Sequence, residues 1–471
     1  MNPACLRESF EKAGQGQVFR FWDQLDETSR AALLAEAAEV NLAELKELSA
    51  MVVAGKASEI SGISLEGLGP APYVPLPENG GDAAKWKEAR AAGEAALAAG
   101  RVAAFVVAGG QGTRLGYDGP KGVYPATPVR RASLFQVFAE KLRAASKRYG
   151  RSIPWMIMTS RQNDAATRRF FEENHFFGLP ERDVIFFPQG RMSAVDEKGK
   201  ILLASPSSLA MSPNGHGGSL RAMVESGATK LLEERGIDAI SYWQVDNPLV
   251  HIVDPAFLGF HVLSGSEMSS KMIPKAYPLE RVGHFCTQNG RQLVIEYSDL
   301  PAEMQQERTA DGKLRFLAGS VAIHIFDRRF VEKMGGTSAE RLPFHVAHKK
   351  IDCVDEAGRP VKPAKPNSYK FEMFVFDALP AAKNPVIVEG RREDEFSPIK
   401  NAEGVDSPAT CAKDQLLAWE RWAKAAGVPL PAAQKPPFWE VSPLFADTEE
   451  EFVRRAKAGE VPPVAEGSVL L

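Results

Sequence analysis

The chain has 471 residues, 44% of them hydrophobic, enough for a large core and for two or three domains. Its 57 basic and 60 acidic side chains leave a net charge of −3, so no global field exists to hold nucleic acid or an anionic membrane. Any anion site must be local. Cys5, Cys286, Cys353 and Cys411 are far apart with no C-x-x-C pair, which argues against a zinc site or a disulfide framework and fits a reducing, cytoplasmic setting. Charges fall where a signal peptide would need its apolar core, and no apolar run reaches the roughly 18 residues of a membrane span.

Residues 14–50 read as amphipathic helix: Phe19, Trp22 and Leu25, then Asp26 as an N-cap ahead of Leu33, Leu34, Ala37, Val40, Leu42 and Leu45. Residues 66–82 carry Pro70, Pro72, Pro75, Pro77 and Asn79-Gly80-Gly81, a linker composition. A helix over 83–99 then delivers the chain into an apolar, non-alternating run, Val102 to Ala108, as expected of a strand covered on both faces.

That strand opens into glycine. Gly109, Gly110, Gly112 and Gly116, with Gln111 and Thr113 among them, let the backbone approach a ligand with N–H groups pointing at phosphate oxygens, and Arg114 and Lys121 add two cations. A dinucleotide fingerprint is excluded, because Leu115 stands where the third glycine is needed and no carboxylate follows in 124–131. A P-loop is excluded because Gly122 follows Lys121.

From 101 to about 385, apolar runs alternate with helical stretches, which predicts a doubly wound α/β domain with ligands at the carboxyl ends of its strands. Strands are expected at 102–108, 154–159, 184–187, 239–245, 268–273, 282–286, 293–297, 318–326 and 372–376, and helices at 133–148, 162–174 and 218–234. Gln189, after Phe186-Phe187-Pro188, is either a surface turn residue or an amide able to pair with a pyrimidine edge. Gly215, Gly217 and Gly218 form a second close-approach loop, in which His216 reads as a turn histidine. Asp246 ends a buried strand, a position suited to Mg²⁺ or to a helix cap, whereas Asp254 reads as a cap. Phe374 and Phe376 alternate as a core-facing pair would. Charges 391–395 ahead of Lys400 read as a solvated loop, and 413–426 as a last helix before a proline-rich tail.

Several of these segments together resemble the eukaryotic-type UDP-sugar pyrophosphorylases, particularly the UDP-N-acetylhexosamine branch. They are GGQGTRLG followed by PKG; VIFFPQGRM at 184–192; WQVDNPLVHIVDPAFLGF at 243–260; Lys271 to Lys275 with Arg281-Val282-Gly283 and Val294 to Ser298; Phe374 to Asp377; and REDEFSPIKN at 392–401. The resemblance runs from about residue 14 to 411. It implies a nucleotidyltransferase fold, GT-A-like and Rossmann-like, built on a doubly wound mixed sheet. The domain plan it suggests is a helical region at 1–100, a catalytic domain at 101–385 and a small C-terminal region at 386–471 that contributes Lys400.

What it implies chemically is uridylyl transfer from UTP to a sugar 1-phosphate, with Mg²⁺ on Asp246. Gly109 to Thr113, Gln189, Gly215 and His216 would hold the nucleotide, with Gln189 reading uracil. Arg114 and Lys121 would meet the leaving pyrophosphate and Lys400 a phosphate. Gly283, Glu296, Ser320, Phe374 and Phe376 would line the sugar. Two positions depart from the N-acetylhexosamine pattern: His216 stands for an asparagine in G-N-G-G and Ser320 for one in A-G-N. The DEFSPIKN motif and the N-terminal helices still favour the N-acetylhexosamine branch, so N-acetylglucosamine 1-phosphate is the lead acceptor, with glucose 1-phosphate or a broad range of sugar 1-phosphates as the alternative. A catalytically silent UDP-sugar binder and an NAD-dependent dehydrogenase are the readings from other classes, and the oligomeric state stays open, a monomer included.

Overall fold

The computed structural model describes residues 2–57, 64–336, 342–430 and 439–471. They fall into two compact units: one drawn from 1–65, 189–221 and 339–377, the other from 66–188, 222–338 and 378–471.

The second unit holds a 10-stranded mixed sheet. Along its main path the strands lie in the order Gly69–Pro70, Gly283–Gln288, Ala318–Asp327, Ala239–Gln244, Val102–Val107, Trp155–Thr159 and Val184–Pro188. The last four of these run parallel, and Ala318–Asp327 is antiparallel to its neighbours. Val386–Glu389 lies parallel to Met268–Pro274, and Arg291–Ile295 pairs with Gly283–Gln288. This is the mixed, wound sheet that the alternating pattern predicts. Residues 102–106 are buried because helices cover both faces, with Phe135, Phe138, Trp155, Phe171 and Trp243 in the same core. The chain leaves Val102–Val107 toward Trp155–Thr159 on one side and later returns on the other with Ala239–Gln244. The switch point therefore lies at the carboxyl ends of the two strands that precede Gly109 and Asp246. A separate core of Trp419, Trp422, Trp439, Phe445 and Phe452 closes the C-terminal segment around the helix Pro408–Ala426.

The first unit carries the helices Pro3–Lys12, Glu27–Ala38 and Leu42–Val53 and a small hairpin pairing of His345–Lys349 with Ser368–Glu372. Asp26 caps Glu27–Ala38 by accepting from the Ser29 N–H, as its sequence position predicts. The expectation of helix throughout 14–50 is corrected: 16–19 and 22–24 are 3-10 turns, and Asn41 starts a new helix by accepting from the Glu44 N–H. The strand expected at 372–376 is also corrected. Its ladder stops at Glu372, because the Val375 N–H goes to His216 Nδ1 and residues 375–381 coil into a 3-10 turn. The helix expected at 218–234 breaks at Gly227, whose φ of +78° belongs to the left-handed region. Among the described residues, no helix is long and apolar enough to cross a membrane.

Candidate active site

In the second unit, Gly109 and Gly110 follow directly on the strand, and the loop then folds back on itself. Gly112 N–H donates to the Gly119 carbonyl at 2.9 Å and Lys121 N–H to the Gly110 carbonyl at 3.1 Å, with Gln111 bridged to Pro120. Thr113 and Arg114 sit in a 3-10 turn that Gly116 ends at φ +67°. Asn163, buried, ties the loop down by donating to the carbonyls of Ala108 and Gly110. Arg114 is exposed, outside these contacts. Lys121 reaches across to Asp246, Nζ to Oδ2 3.5 Å, with each side chain about 15% exposed.

Lys400 is brought to the same place by backbone. Ile399 N–H donates to the Asp246 carbonyl at 2.8 Å, and the Asn247 side chain bonds the main chain of both Glu395 and Ser397. The Lys400 ammonium lies over the Phe396 ring and 4.0 Å from Asp406 Oδ2, a loose pairing for a side chain 37% exposed. Burial, and then the nearby charge of Asp246, raise the Asp406 carboxyl above its ordinary range, although Lys400 opposes them. Lys121 with Asp246 and Lys400 with Asp406 thus make two loose ion pairs, and the two carboxylates are near enough to feel each other's charge. Oxygen donors of this kind, partly open to solvent, fit a hard divalent cation such as Mg²⁺.

A second charged cluster in this unit is closed. Lys271, 1% exposed on its side chain, lies 2.7 Å from Asp254 Oδ2 and 2.5 Å from Glu395 Oε1, and His251 Nδ1 is 3.3 Å from Glu395 Oε1. His251, Asp254 and Glu395 have metal-ligating spacing, but the Lys271 ammonium already supplies the cation. Burial alone would raise the Asp254 carboxyl, yet Lys271 holds it down to about 2. Burial alone would lower His251, yet Glu395 keeps it raised. A cavity of about 710 Å³ is lined by His251, Asp254, Arg391 and Glu395 but by none of Lys121, Asp246 and Lys400.

Three expected sugar residues also converge in this unit. Gly283 pairs with Ser320 across the ladder, and a Cβ on Gly283 would lie 3.5 Å from Ser320 Cβ and 3.7 Å from Glu296 Oε1.

In the first unit, Gln189, 8% exposed, donates from Nε2 to the Gly215 carbonyl at 2.6 Å and to Asn214 Oδ1 at 3.3 Å. Both partners are acceptors, so Oε1 is the group left for a ligand. Gly215 has φ +81°, and a Cβ there would lie 2.3 Å from the Met373 carbonyl, so only glycine fits. His216 stacks on Phe374 at 5.2 Å and lies against Phe376 at 5.7 Å. Burial, then the charge of His345, push its pKa down to about 4. Neutral, and accepting at Nδ1 from Val375, it carries its proton on Nε2.

The residues that sequence reading missed are Asn163, Asn247 and Asp406 in one unit and the hydrogen-bonded pair His345–Asp377, 2.8 Å apart beside Phe374, in the other. Asn247 and Asp377 stand inside recognisable motifs, which is the one signal that could have drawn attention to them; Asn163, Asp406 and His345 carry none.

A glycine loop and a carboxylate at the carboxyl ends of adjacent parallel strands define a nucleotide-binding α/β protein. Comparison with known proteins makes the class specific. The sequence profile of the family described as UTP–glucose-1-phosphate uridylyltransferase matches residues 78–416, and the chain belongs to that family. It is 38% identical over 435 residues to UDP-N-acetylhexosamine pyrophosphorylase-like protein 1 of Xenopus tropicalis, covering 89% of this chain and 84% of that one. It is 35% identical over 438 residues to UDP-N-acetylglucosamine pyrophosphorylase of Saccharomyces cerevisiae, covering 89% and 91%. The crystal structure of uridine diphosphate N-acetylglucosamine pyrophosphorylase from Trypanosoma brucei superposes with a TM-score of 0.83 at 27% identity, over 100% of this chain and 98% of that one.

Proposed function

We propose that the chain is a uridylyltransferase that makes a UDP-sugar and pyrophosphate from UTP and a sugar 1-phosphate, with N-acetylglucosamine 1-phosphate as the lead acceptor. The observation that supports the reading is the 2.8 Å hydrogen bond from Ile399 N–H to the Asp246 carbonyl, which joins the residue before Lys400 to the residue whose carboxylate ends the central strand. A phosphate oxygen of the sugar attacks the α-phosphorus of UTP in line, and pyrophosphate leaves opposite, with no covalent enzyme intermediate. Catalysis is then a matter of positioning and charge.

Backbone N–H groups of the Gly109 to Thr113 loop, apart from that of Gly112, which the Gly119 carbonyl takes, hold the nucleotide; Arg114 and Lys121 neutralise the departing pyrophosphate, and Lys400 binds the incoming or the α-phosphate. Asp246 would hold Mg²⁺, which offsets phosphate charge when bound. Gln189 selects the base. Its Oε1 accepts from the N3–H of uracil, where cytosine presents a bare acceptor, and a mispaired base leaves a buried group unsatisfied. Gly283, Glu296, Ser320, Phe374 and Phe376 face the sugar, and His216 offers its Nε2–H as a donor. Glucose 1-phosphate is the second reading, because His216 and Ser320 replace the two asparagines of the N-acetylhexosamine pattern.

The test is pyrophosphate release from UTP and Mg²⁺ with glucose, galactose and N-acetylglucosamine 1-phosphates in parallel. Release greatest with N-acetylglucosamine 1-phosphate supports the lead. Release with none, alongside intact UDP-sugar binding, would replace it with a silent binder.

A further inference from the structure

Asn247 lies next to Asp246 and is 5% exposed. Its Nδ2 donates to the Glu395 carbonyl at 2.6 Å, and its Oδ1 accepts from the Ser397 N–H at 3.1 Å. Two residues on, Ile399 N–H donates to the Asp246 carbonyl at 2.8 Å. Segment 395–399 is thereby attached to residues 246–247 at three points. Its first residue is anchored from elsewhere as well, through the Glu395 carboxylate to Lys271 at 2.5 Å. Lys400 comes next in the chain; its own N–H donates to the Asp406 carbonyl at 2.6 Å, while its ammonium lies over the Phe396 ring and only loosely pairs with the Asp406 carboxylate, 4.0 Å away. The clamp at 395 and 397 holds Phe396 between its two points and fixes the backbone that enters Lys400, so the ammonium's location depends on it alongside Asp406.

We propose that Asn247 is a positioning residue for Lys400, an inference that rests on the catalytic reading of Lys400 given above. The side chain must donate at one end of the segment and accept at the other, which an amide does and a carboxylate or an aliphatic group does not. Removing it frees the backbone by a distance that matters, since displacements near 1 Å in a phosphate-binding group cost turnover rather than nucleotide affinity.

The test uses the full chain with Asn247→Ala, Lys400→Ala and the double variant. Asn247→Ala is expected to lower kcat for pyrophosphate release about 30-fold while Kd for UTP with Mg²⁺ stays within about threefold. In the Lys400→Ala background the same change is expected to lower the residual rate by no more than about twofold. Wild-type kcat in Asn247→Ala overturns the proposal, as does an equal 30-fold loss with Lys400 already gone, which is what a general structural role would give. Full turnover in Lys400→Ala alone removes the underlying role of Lys400, and the positioning role falls with it; the single variant tells the two failures apart. Should alanine unfold the chain, Asn247→Asp keeps the acceptor and loses the donor. It is expected to lose about 10-fold in kcat, and an unchanged kcat there overturns the proposal equally.

Discussion

The second unit holds two clusters made from the same residue types, and they differ in how completely their charges are met. Around Lys271 the ammonium lies 2.7 and 2.5 Å from two carboxylates and is sealed from water. Around Lys121 and Lys400 the corresponding separations are 3.5 and 4.0 Å, and the side chains keep access to solvent. Where cation and carboxylates meet at hydrogen-bonding distance little charge is left for a ligand, even though His251 and Asp254 line a cavity, whereas a loosely paired cluster still has charge to give. Spacing alone would suggest a metal site at His251, Asp254 and Glu395, but the Lys271 ammonium already lies between the two carboxylates. The filled position between them is what decides.

The largest effect should come from breaking the closed cluster. Lys271→Met takes the ammonium away from buried Glu395 and half-buried Asp254 and is expected to lower stability by about 3–5 kcal/mol, read as a fall in Tm or in denaturant midpoint. An unchanged Tm would show that the ion pairs of Lys271 add nothing to stability. Lys400→Ala, in the open cluster, is expected to do the reverse, lowering kcat about 100- to 1,000-fold with UTP affinity and Tm little changed. If turnover survives, Lys400 does not belong to the chemistry.

Gln189 and His216, in the other unit, sharpen the contrast, because their contacts are neutral hydrogen bonds. Gln189→Glu places a carboxylate against the Gly215 carbonyl and Asn214 Oδ1, and UTP is expected to bind about 10- to 100-fold more weakly by calorimetry. Equal affinity would end its base-reading role. The smallest effect is expected from His216→Asn: a severalfold shift in the kcat/KM ratio toward N-acetylglucosamine 1-phosphate over glucose 1-phosphate. No movement in that ratio would show that the departure at this position is silent.

Much of the framework was legible because it depends on local pattern. The apolar run at 102–107, the caps at Asp26 and Asp254, and the glycine loop all follow from residue type and spacing. What escaped depends on partners distant in sequence. Phe374 and Phe376 alternate as a strand would, but the Val375 N–H is taken by His216, 159 positions earlier. The charged run before Lys400 looks solvated, yet Glu395 is 3% exposed because Lys271, 124 positions away, neutralises it. Asn247 stands in a readable motif, but nothing local tells that its amide clamps residues 395 and 397. Side-chain bonds to a remote backbone leave no periodic trace in sequence.

The interleaving of segments has a consequence for biosynthesis. The first unit draws on residues 1–65, 189–221 and 339–377, so its N-terminal helices emerge long before their last packing partners. At a synthesis rate of about 5–20 residues per second, roughly 20–75 s separate the start of the chain from completion of that unit. Throughout that interval the apolar faces of the early helices lack part of their final cover.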